Sequence, residues 1–305
     1  MNRTKCCNIT NVNRRAFLAQ GTLFITGVTS LSRCAFSQPA SEPILRIALL
    51  TDVHYADKTS SGNRYYQESL EKLDAAAVEL GKNPIDFAVE LGDFIDSTGD
   101  WKTDQTTLRT VNAAFAKICE QRHYVLGNHC VETLTKQEFL DEIEQDKSWY
   151  SFDVKDWHFI VLDACFRRDG VPYGRKNADW TDTMIPEEEL EWLQIDLAAT
   201  SRPCILFLHQ RLDLDNQHAY AVKNADKVRA VLEASGKARL VLQGHDHKGD
   251  CKAVGGITYC TLSAVIEGSE QANNAFSLLE IMKNGNIHFH GFFRQESHSF
   301  PKEAG

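Results

Sequence analysis

The sequence predicts an α/β domain over residues 44–295, because short apolar runs bounded by turn residues alternate with segments of helical periodicity. The composition is that of a globular protein, since 43% of the 305 residues are hydrophobic and 25% are charged. Residues 44–295 contain no internal repeat, low-complexity block or interior linker that would divide them. A single domain is therefore expected, followed by a polar tail at residues 296–305.

The elements of this domain follow in chain order. An apolar run at residues 44–50 predicts the first strand, and helical spacing over residues 64–80 predicts the first helix. Residues 86–91 and 123–126 predict the next two strands, with a helix between them over residues 104–120. The later predicted elements are strands at residues 149–154, 157–163, 204–208, 239–242, 257–262, 276–281 and 287–292, and helices at residues 186–199 and 224–234.

Residues 1–37 predict a twin-arginine signal segment. A basic, polar stretch ends in Arg14 and Arg15, and a modestly apolar run with several Gly, Thr and Gln residues follows. Such a run is weak for a membrane-spanning helix, so we expect export by the twin-arginine translocation machinery to a bacterial periplasm or the extracellular space, without a stable membrane anchor. Cleavage is expected before Gln38, with residues 38–43 as a linker. An uncleaved signal anchor and a lipoprotein acylated at Cys34 are the alternatives.

The charge distribution restricts the partners of the protein. The chain has 33 Lys and Arg residues against 42 Asp and Glu residues, and five of the cations precede residue 38, where no acid occurs. The remaining chain is therefore more acidic than the formal net charge of −9. An acidic surface repels nucleic acid and anionic membranes, so no nucleic acid partner is expected. Any phosphate substrate should meet a local positive charge, such as a metal ion.

Six cysteines follow the signal segment. Cys119, Cys165 and Cys204 lie in apolar contexts and are expected to act as small buried hydrophobic residues. Cys251 and Cys260 bracket a predicted hairpin that would bring their sulfur atoms close, so either a disulfide or two free thiols fit the sequence. The chain has no C-x-x-C pair, which leaves zinc-thiolate and thioredoxin chemistry unsupported.

Five predicted strands end in turns that carry carboxylate, carboxamide or imidazole side chains. These turns are Thr51-Asp52-Val53-His54, Gly92-Asp93-Phe94-Ile95-Asp96, Gly127-Asn128-His129, His209 and Gly244-His245-Asp246-His247. Ligands of open α/β sheets bind beyond the carboxyl ends of the strands, so the five turns should meet in one crevice. Oxygen and imidazole ligands suit Mn, Fe or Zn, and this set is too large for one ion, so two divalent metal ions are expected. The neighbouring glycines allow the tight turns that such convergence needs.

Other histidines lie outside these turns. His123 and His158 are expected to be structural, whereas His288 and His290 lie two residues apart and should share an exposed strand face. His218 lies in the polar stretch after the fourth turn and is a candidate substrate contact.

The order D-x-H, G-D-x-x-D, G-N-H, H, G-H-x-H resembles the calcineurin-like metallophosphoesterase superfamily over residues 46–292. The resemblance implies a four-layer α/β/β/α sandwich of two mixed sheets flanked by helices. It also implies that Asp52, His54, Asp93 and His247 bind one metal ion, and that Asp93, Asn128, His209 and His245 bind a second, with Asp93 bridging. His129 would then stabilise or protonate the leaving oxygen.

The implied activity is dinuclear metal-dependent hydrolysis of phosphoester or phosphoanhydride bonds. Two cations lower the pKa of a bridging water, and the hydroxide attacks phosphorus in line, so Asp93 and His129 are the catalytic candidates and no Ser or Cys nucleophile is needed. The alternatives are a broad periplasmic phosphodiesterase or phosphomonoesterase and, outside the enzymes, a metal-binding or phosphate-sensing module without turnover.

Further segments resemble the manganese-dependent ADP-ribose/CDP-alcohol diphosphatases within this superfamily. The matching segments are Tyr55-Ala56-Asp57, Arg64-Tyr65-Tyr66, Ser69-Leu70, residues 261–267 and Asn274-Ala275-Phe276. The resemblance favours Mn and an ADP-ribose/CDP-alcohol type of substrate. It implies that Arg64 contacts a phosphate and that Tyr65 stacks on a base. The alternative is that the tyrosines pack on an amphipathic helix.

Several positions depart from the pattern of relatives. Cys130 stands where an acid is common, Gln210-Arg211 follows the lone histidine, and Ser97 replaces the arginine of the superfamily's protein phosphatases, which argues against a protein substrate. Residues 167–183, rich in Gly, Pro, Asn, Asp and Trp, are long enough to cover the crevice and are expected to shape specificity.

Overall fold

A computed structural model describes residues 42–301. The predicted signal segment, most of the linker and residues 302–305 lie outside the described residues. The strands are β1 (Pro43–Leu50), β2 (Phe87–Glu90), β3 (Arg122–Tyr124), β4 (Tyr150–Val154), β5 (Trp157–Val161), β6 (Cys204–Phe207), β7 (Ala238–Gln243), β8 (Asp250–Val254), β9 (Ile257–Thr261), β10 (Ala275–Met282), β11 (Ile287–Phe293) and β12 (His298–Phe300). The helices are α1 (Ser69–Leu80), α2 (Trp101–Phe115), α3 (Lys136–Glu142), α4 (Glu187–Ala199) and α5 (Ala225–Ser235). Within residues 42–301, no helix combines the length and apolarity that crossing a bilayer requires.

The strands form two mixed sheets of six strands each. The first has the order β12-β11-β10-β1-β2-β3, and the second has the order β4-β5-β6-β7-β9-β8. In the first sheet β1, β2 and β3 run parallel, while β10 pairs antiparallel with β1. In the second, β5, β6, β7 and β9 run parallel and the two edge strands are antiparallel. The carboxyl ends of the parallel strands carry the polar turns.

The two sheets pack face to face, and helices cover their outer faces. Successive strand residues point to opposite sides of a sheet, so Ile47 of β1 packs with Phe159 and Phe207 of the second sheet, whereas Ala48 packs in a layer with Leu73 of α1. A third apolar layer joins the second sheet to α4 and α5. This arrangement of four layers confirms the predicted α/β/β/α sandwich.

Helix α3 and strand β12 are absent from the sequence prediction, and β8 was expected only as one side of a hairpin. Helix α3 was not predicted, because its seven residues are too short for a clear hydrophobic period. A capping box stabilises its start, where the Thr135 hydroxyl accepts from Glu138 N and the Glu138 carboxylate accepts from Thr135 N. Strand β12 lies in the segment predicted as a polar tail and pairs antiparallel with β11, because Phe300 packs at the edge of the apolar layer between the sheets.

One local feature corrects a predicted helix boundary, and another settles an alternative that the sequence leaves open. The second helix begins earlier than predicted, because the Asp100 side chain accepts a hydrogen bond from Lys102 N and caps the helix at that point. Cys251 and Cys260 lie directly opposite each other on β8 and β9 and form a disulfide. Cys165 and Cys204 are buried free thiols.

Candidate active site

The five polar turns meet at one edge of the sandwich, where strands of both sheets end. A backbone hydrogen bond of 2.9 Å from Asp52 N to Gly92 O joins the first two turns. The Asp93 carboxylate accepts from His129 N at 2.8 Å, which ties the second turn to the third. The Asp52 carboxylate accepts from His245 N at 3.0 Å, which ties the first sheet to the second. The two aspartates therefore hold neighbouring turns in place as well as facing the crevice.

Left-handed backbone conformations aim the side chains at one another. Positive φ angles occur at five of these residues: Asp52, His54, Asp93, His245 and His247. This conformation is unfavourable for residues other than glycine, and it persists where the surrounding structure enforces it, often at functional sites. Gly127 is required for close approach, because a Cβ there would lie 2.2 Å from both Asp93 N and Asp93 Oδ1.

Asp52, His54 and His247 form the first group of potential metal ligands. His54 Nε2 lies 3.6 Å from Asp52 Oδ1 and 3.2 Å from His247 Nε2. His247 Nε2 lies 3.3 Å from the same Asp52 oxygen. Metal–ligand bonds of about 2.0–2.2 Å place neighbouring ligand atoms about 3 Å apart, so this spacing fits a divalent ion.

Asp93, His209 and His245 form the second group, and Asp93 also contacts the first. Asp93 Oδ2 lies 3.0 Å from His209 Nε2 and 3.5 Å from His54 Nε2. One carboxylate oxygen is therefore in reach of imidazoles from both groups. Asn128 lies beside this position and lines the same crevice.

Buried polar atoms without a hydrogen-bond partner concentrate in this cluster. Within residues 42–301 they include Asp52 Oδ1, Asn128 Oδ1, His129 Nδ1, His209 Nε2 and His245 Nε2. Leaving such atoms unpaired in a protein interior costs free energy, so each calls for a partner. Oxygen and imidazole nitrogen atoms at these separations suit Mn, Fe or Zn, and the residues present therefore fit divalent metal ions.

In three of the imidazole rings the Nδ1 atom, on the other side of the ring from Nε2, has a polar contact of its own. His54 Nδ1 lies 3.1 Å from Asp96 Oδ2, and His247 Nδ1 lies 2.7 Å from Glu267 Oε1. His209 Nδ1 lies 2.8 Å from the Leu91 carbonyl oxygen. Such contacts fix the orientation and tautomer of a ring and leave its Nε2 free for a metal ion.

Burial and neighbouring charges shift the pKa values of several groups in the cluster. Burial alone would raise the pKa of Asp93, but the neighbouring His209 and His129 outweigh burial and hold this pKa well below its usual range. Burial lowers the pKa of His129 to about 4 and that of His245 to about 3. Both imidazoles are therefore neutral near pH 7, the form of histidine that binds metal ions.

The crevice has two connected lobes. The inner lobe, of about 380 Å³, contains the cluster and is also lined by Arg64, Tyr220 and Lys248. The outer lobe, of about 460 Å³, extends from His129 along Glu132, Tyr173 and residues 176–180. Asn128, His129 and Trp180 line both lobes.

Of the three predicted substrate contacts, only Arg64 lines one of the two lobes. Arg64 lines the inner lobe, and its Nη1 lies 3.8 Å from Asp96 Oδ2. Tyr65 lines neither lobe, and its backbone N donates to Ile266 O. His218 is exposed and lines neither lobe, and its Nδ1 accepts from Tyr220 N within the same loop.

Several residues of the site carry no distinctive sequence signal. Asp96 belongs to the second polar turn, but its contacts with both His54 and His129 depend on turn geometry. Trp180 and Tyr220 pack on each other with ring centroids 5.3 Å apart, and both contact the His245 ring. Trp180 lies in the segment predicted to cover the crevice, and it does line both lobes.

A model of the calcineurin-like phosphoesterase family matches residues 45–249 of this chain. Among curated proteins, a manganese-dependent ADP-ribose/CDP-alcohol diphosphatase from Oryza sativa subsp. japonica is 25% identical over 286 residues, covering 79% of this chain and 89% of that protein. The protein of the same name from Xenopus laevis is 25% identical over 307 residues, covering 78% of this chain and 85% of that protein.

Solved structures share the fold at lower identity. A dimetal phosphatase from Danio rerio superposes with a TM-score of 0.74 at 21% identity, covering 85% of this chain and 99% of that chain. A purple acid phosphatase from yellow lupin has a TM-score of 0.58 at 14% identity, covering 86% of this chain and 54% of that chain. With the family match spanning all five polar turns, the chain belongs to the calcineurin-like phosphoesterase family and is a metal-dependent phosphoester hydrolase.

Proposed function

We propose that this protein is a dinuclear metal hydrolase that cleaves the phosphoanhydride bond of ADP-ribose/CDP-alcohol type diphosphates. One observation carries the dinuclear part: Asp93 Oδ2 lies 3.0 Å from His209 Nε2 and 3.5 Å from His54 Nε2, and so faces both groups of potential ligands. The substrate class is supported by the names of the Oryza sativa and Xenopus laevis relatives. Those names also favour Mn among the metals that oxygen and imidazole ligands accept.

In this proposal the two metal sites share Asp93. Asp52, His54, Asp93 and His247 would hold the first ion, and Asp93, Asn128, His209 and His245 would hold the second. Bound divalent ions supply Lewis acidity and an activated water at neutral pH, and they neutralise charge on the phosphate.

The remaining steps fall to side chains of the crevice. The neutral imidazole of His129, a residue whose main-chain N donates to Asp93 and whose side chain is 25% exposed, stabilises the leaving oxygen by donating a hydrogen bond. Arg64 in the inner lobe binds a phosphate oxygen. Cys130, next to His129, is fully buried and accepts from Phe94 N, so it serves packing and not nucleophilic attack.

We also propose export through the twin-arginine pathway, on the basis of Arg14 and Arg15 ahead of a weakly apolar run. The test is fractionation of cells that carry the wild-type chain or a variant with both arginines changed to lysine. Export predicts protein outside the cytoplasm for the wild type alone. Equal cytoplasmic retention of both would remove this part of the proposal.

Product analysis tests the proposed reaction. Residues 38–305 would be incubated with ADP-ribose and Mn²⁺, with Asp93→Asn as the control. AMP and ribose 5-phosphate should form with the wild type and not with the variant. Cleavage of bis(p-nitrophenyl) phosphate without cleavage of ADP-ribose would replace the diphosphatase with the broad phosphodiesterase.

A further inference from the structure

The outer lobe is lined by polar side chains, and most of them already have partners within the protein. The Tyr173 hydroxyl contacts two backbone carbonyl oxygens, and the Asn177 amide bonds the backbone through both its oxygen and its nitrogen. The Asp179 carboxylate accepts from Thr181 N and Oγ1. These groups shape the lobe and leave little hydrogen-bonding capacity for a ligand.

Lys176 is different. Its side chain is exposed and lines the outer lobe, and among residues 42–301 its ammonium has no hydrogen bond or ion pair. Its charge offsets part of the rise that burial causes in the pKa of Glu132 in the same lobe. The Glu132 carboxylate also lies near His129, with Oε2 at 3.6 Å from His129 Nδ1. A cation that no hydrogen bond or ion pair holds, in a crevice of an acidic protein, is a ready contact for an anion.

The main chain holds Lys176 at this position. Its backbone N donates to Glu132 O, and both Arg175 and Lys176 have left-handed φ angles, 54° and 60°. Arg175 is fixed in turn, since it donates to Thr133 O at 2.9 Å and pairs with Glu138. Two successive non-glycine residues in this conformation cost free energy, so the anchoring contacts maintain a fixed base for the lysine side chain.

The position of His129 indicates which part of the substrate would lie near Lys176. His129 lies where the two lobes meet, so the part of the substrate bonded to the leaving oxygen extends beyond His129 into the outer lobe. We propose that Lys176 binds the phosphate of the leaving half, and that the outer lobe thereby selects diphosphates over phosphoesters with a leaving group that carries no phosphate. The inference rests on the proposed function, because it takes His129 as the group at the leaving oxygen. An ammonium–phosphate contact is a charge-assisted hydrogen bond, which an ester without the second phosphate cannot form.

A pair of substrates tests the role of Lys176. The kcat/KM of Lys176→Met with Mn²⁺ would be measured on ADP-ribose, whose leaving half carries a phosphate, and on bis(p-nitrophenyl) phosphate, whose leaving group carries none. Loss of one hydrogen bond to a charged group should lower kcat/KM for ADP-ribose about 10- to 100-fold and leave the second substrate within about twofold. Lys176→Arg should retain most of the ADP-ribose activity, and Lys102→Met, an equal charge change outside both lobes, should match the wild type on both substrates.

The outcomes separate the inference from the proposed function. Unchanged ADP-ribose cleavage in Lys176→Met, or an equal loss on both substrates, overturns the inference and leaves the diphosphatase standing. A wild type that does not cleave ADP-ribose overturns the proposed function and the inference with it.

Discussion

Two regions of the molecule face the same crevice and are built in opposite ways. The strand-end cluster (Asp52, His54, Asp93, Asn128, His209, His245 and His247) comes from five strands of both sheets and is mostly buried. The covering segment (residues 167–183) contains neither a helix nor an extended strand and is mostly exposed. We propose that the sandwich carries the hydrolytic chemistry and that the covering segment selects the substrate, a division common in enzymes.

The covering segment is nevertheless anchored at its base. The Thr183 hydroxyl donates to Ala164 O, and Phe166 pairs with Met184 across the two ends of the segment. Below these contacts, the fully buried Asp163 forms an ion pair with Lys136. The segment therefore stands over the crevice on a fixed stem, which suits a specificity element better than a freely moving loop would.

The largest effect should follow from breaking the strand-end cluster at its shared carboxylate. Asp93→Asn keeps the size and the hydrogen bond from His129 N but weakens both metal sites, so kcat/KM should fall by at least about 1,000-fold. Mn²⁺ should raise the Tm of the wild type by mass action and leave the variant unchanged. Activity within tenfold of the wild type would exclude Asp93 as a ligand common to two ions.

A smaller effect is expected behind the cluster. Glu267→Gln weakens the contact with His247 Nδ1, and loss of such a support should weaken Mn²⁺ binding about 10- to 100-fold in calorimetric titration. Glu280→Gln is the matched control, because Glu280 contacts the exposed His290 at 3.0 Å on β11, outside both lobes. If both variants bind Mn²⁺ like the wild type, the Glu267 contact has no role in holding the metal ligand.

A change in the covering segment should act on substrate and not on metal. Trp180→Ala removes an aromatic ring from the wall shared by both lobes, so kcat/KM for ADP-ribose should fall about tenfold, as for one lost stacking contact. The Mn²⁺ affinity should stay within about twofold. Trp101→Ala is the control, since Trp101 is 42% exposed against 40% for Trp180 but lines neither lobe. A weakened Mn²⁺ affinity in Trp180→Ala alone would abolish the separation of the two regions.

The smallest effect on catalysis should come from the disulfide. The double variant Cys251→Ser and Cys260→Ser releases a closed loop with a sequence separation of 9, so the free energy of unfolding should fall by about 2–3 kcal/mol. Denaturant titration measures that loss, and kcat/KM at 25 °C should equal that of the wild type. A lowered kcat/KM in the folded variant would mean that β8 and β9 influence the cluster.

The sequence allowed the strand-end cluster to be predicted because each of its residues directly follows an apolar run, and parallel strands end at a common edge. The carboxylate contacts that orient His54 and His247 could not be predicted from the sequence. The Asp96–His54 and Glu267–His247 contacts join turns whose geometry no spacing rule describes. The position of His218 outside both lobes could not be predicted either. Periodicity carries no information on the path of an irregular segment.

The order of strands in the first sheet has a consequence for biosynthesis. Strand β1, which leads into the turn with Asp52 and His54, lies between β2 and β10, and β10 is among the last elements to leave the ribosome. His247 also follows β1 by most of the length of the domain. A nascent chain therefore lacks part of its metal site until His247 has left the ribosome. The ions bind after that point, and the compartment in which the chain then folds determines which metals compete for the site.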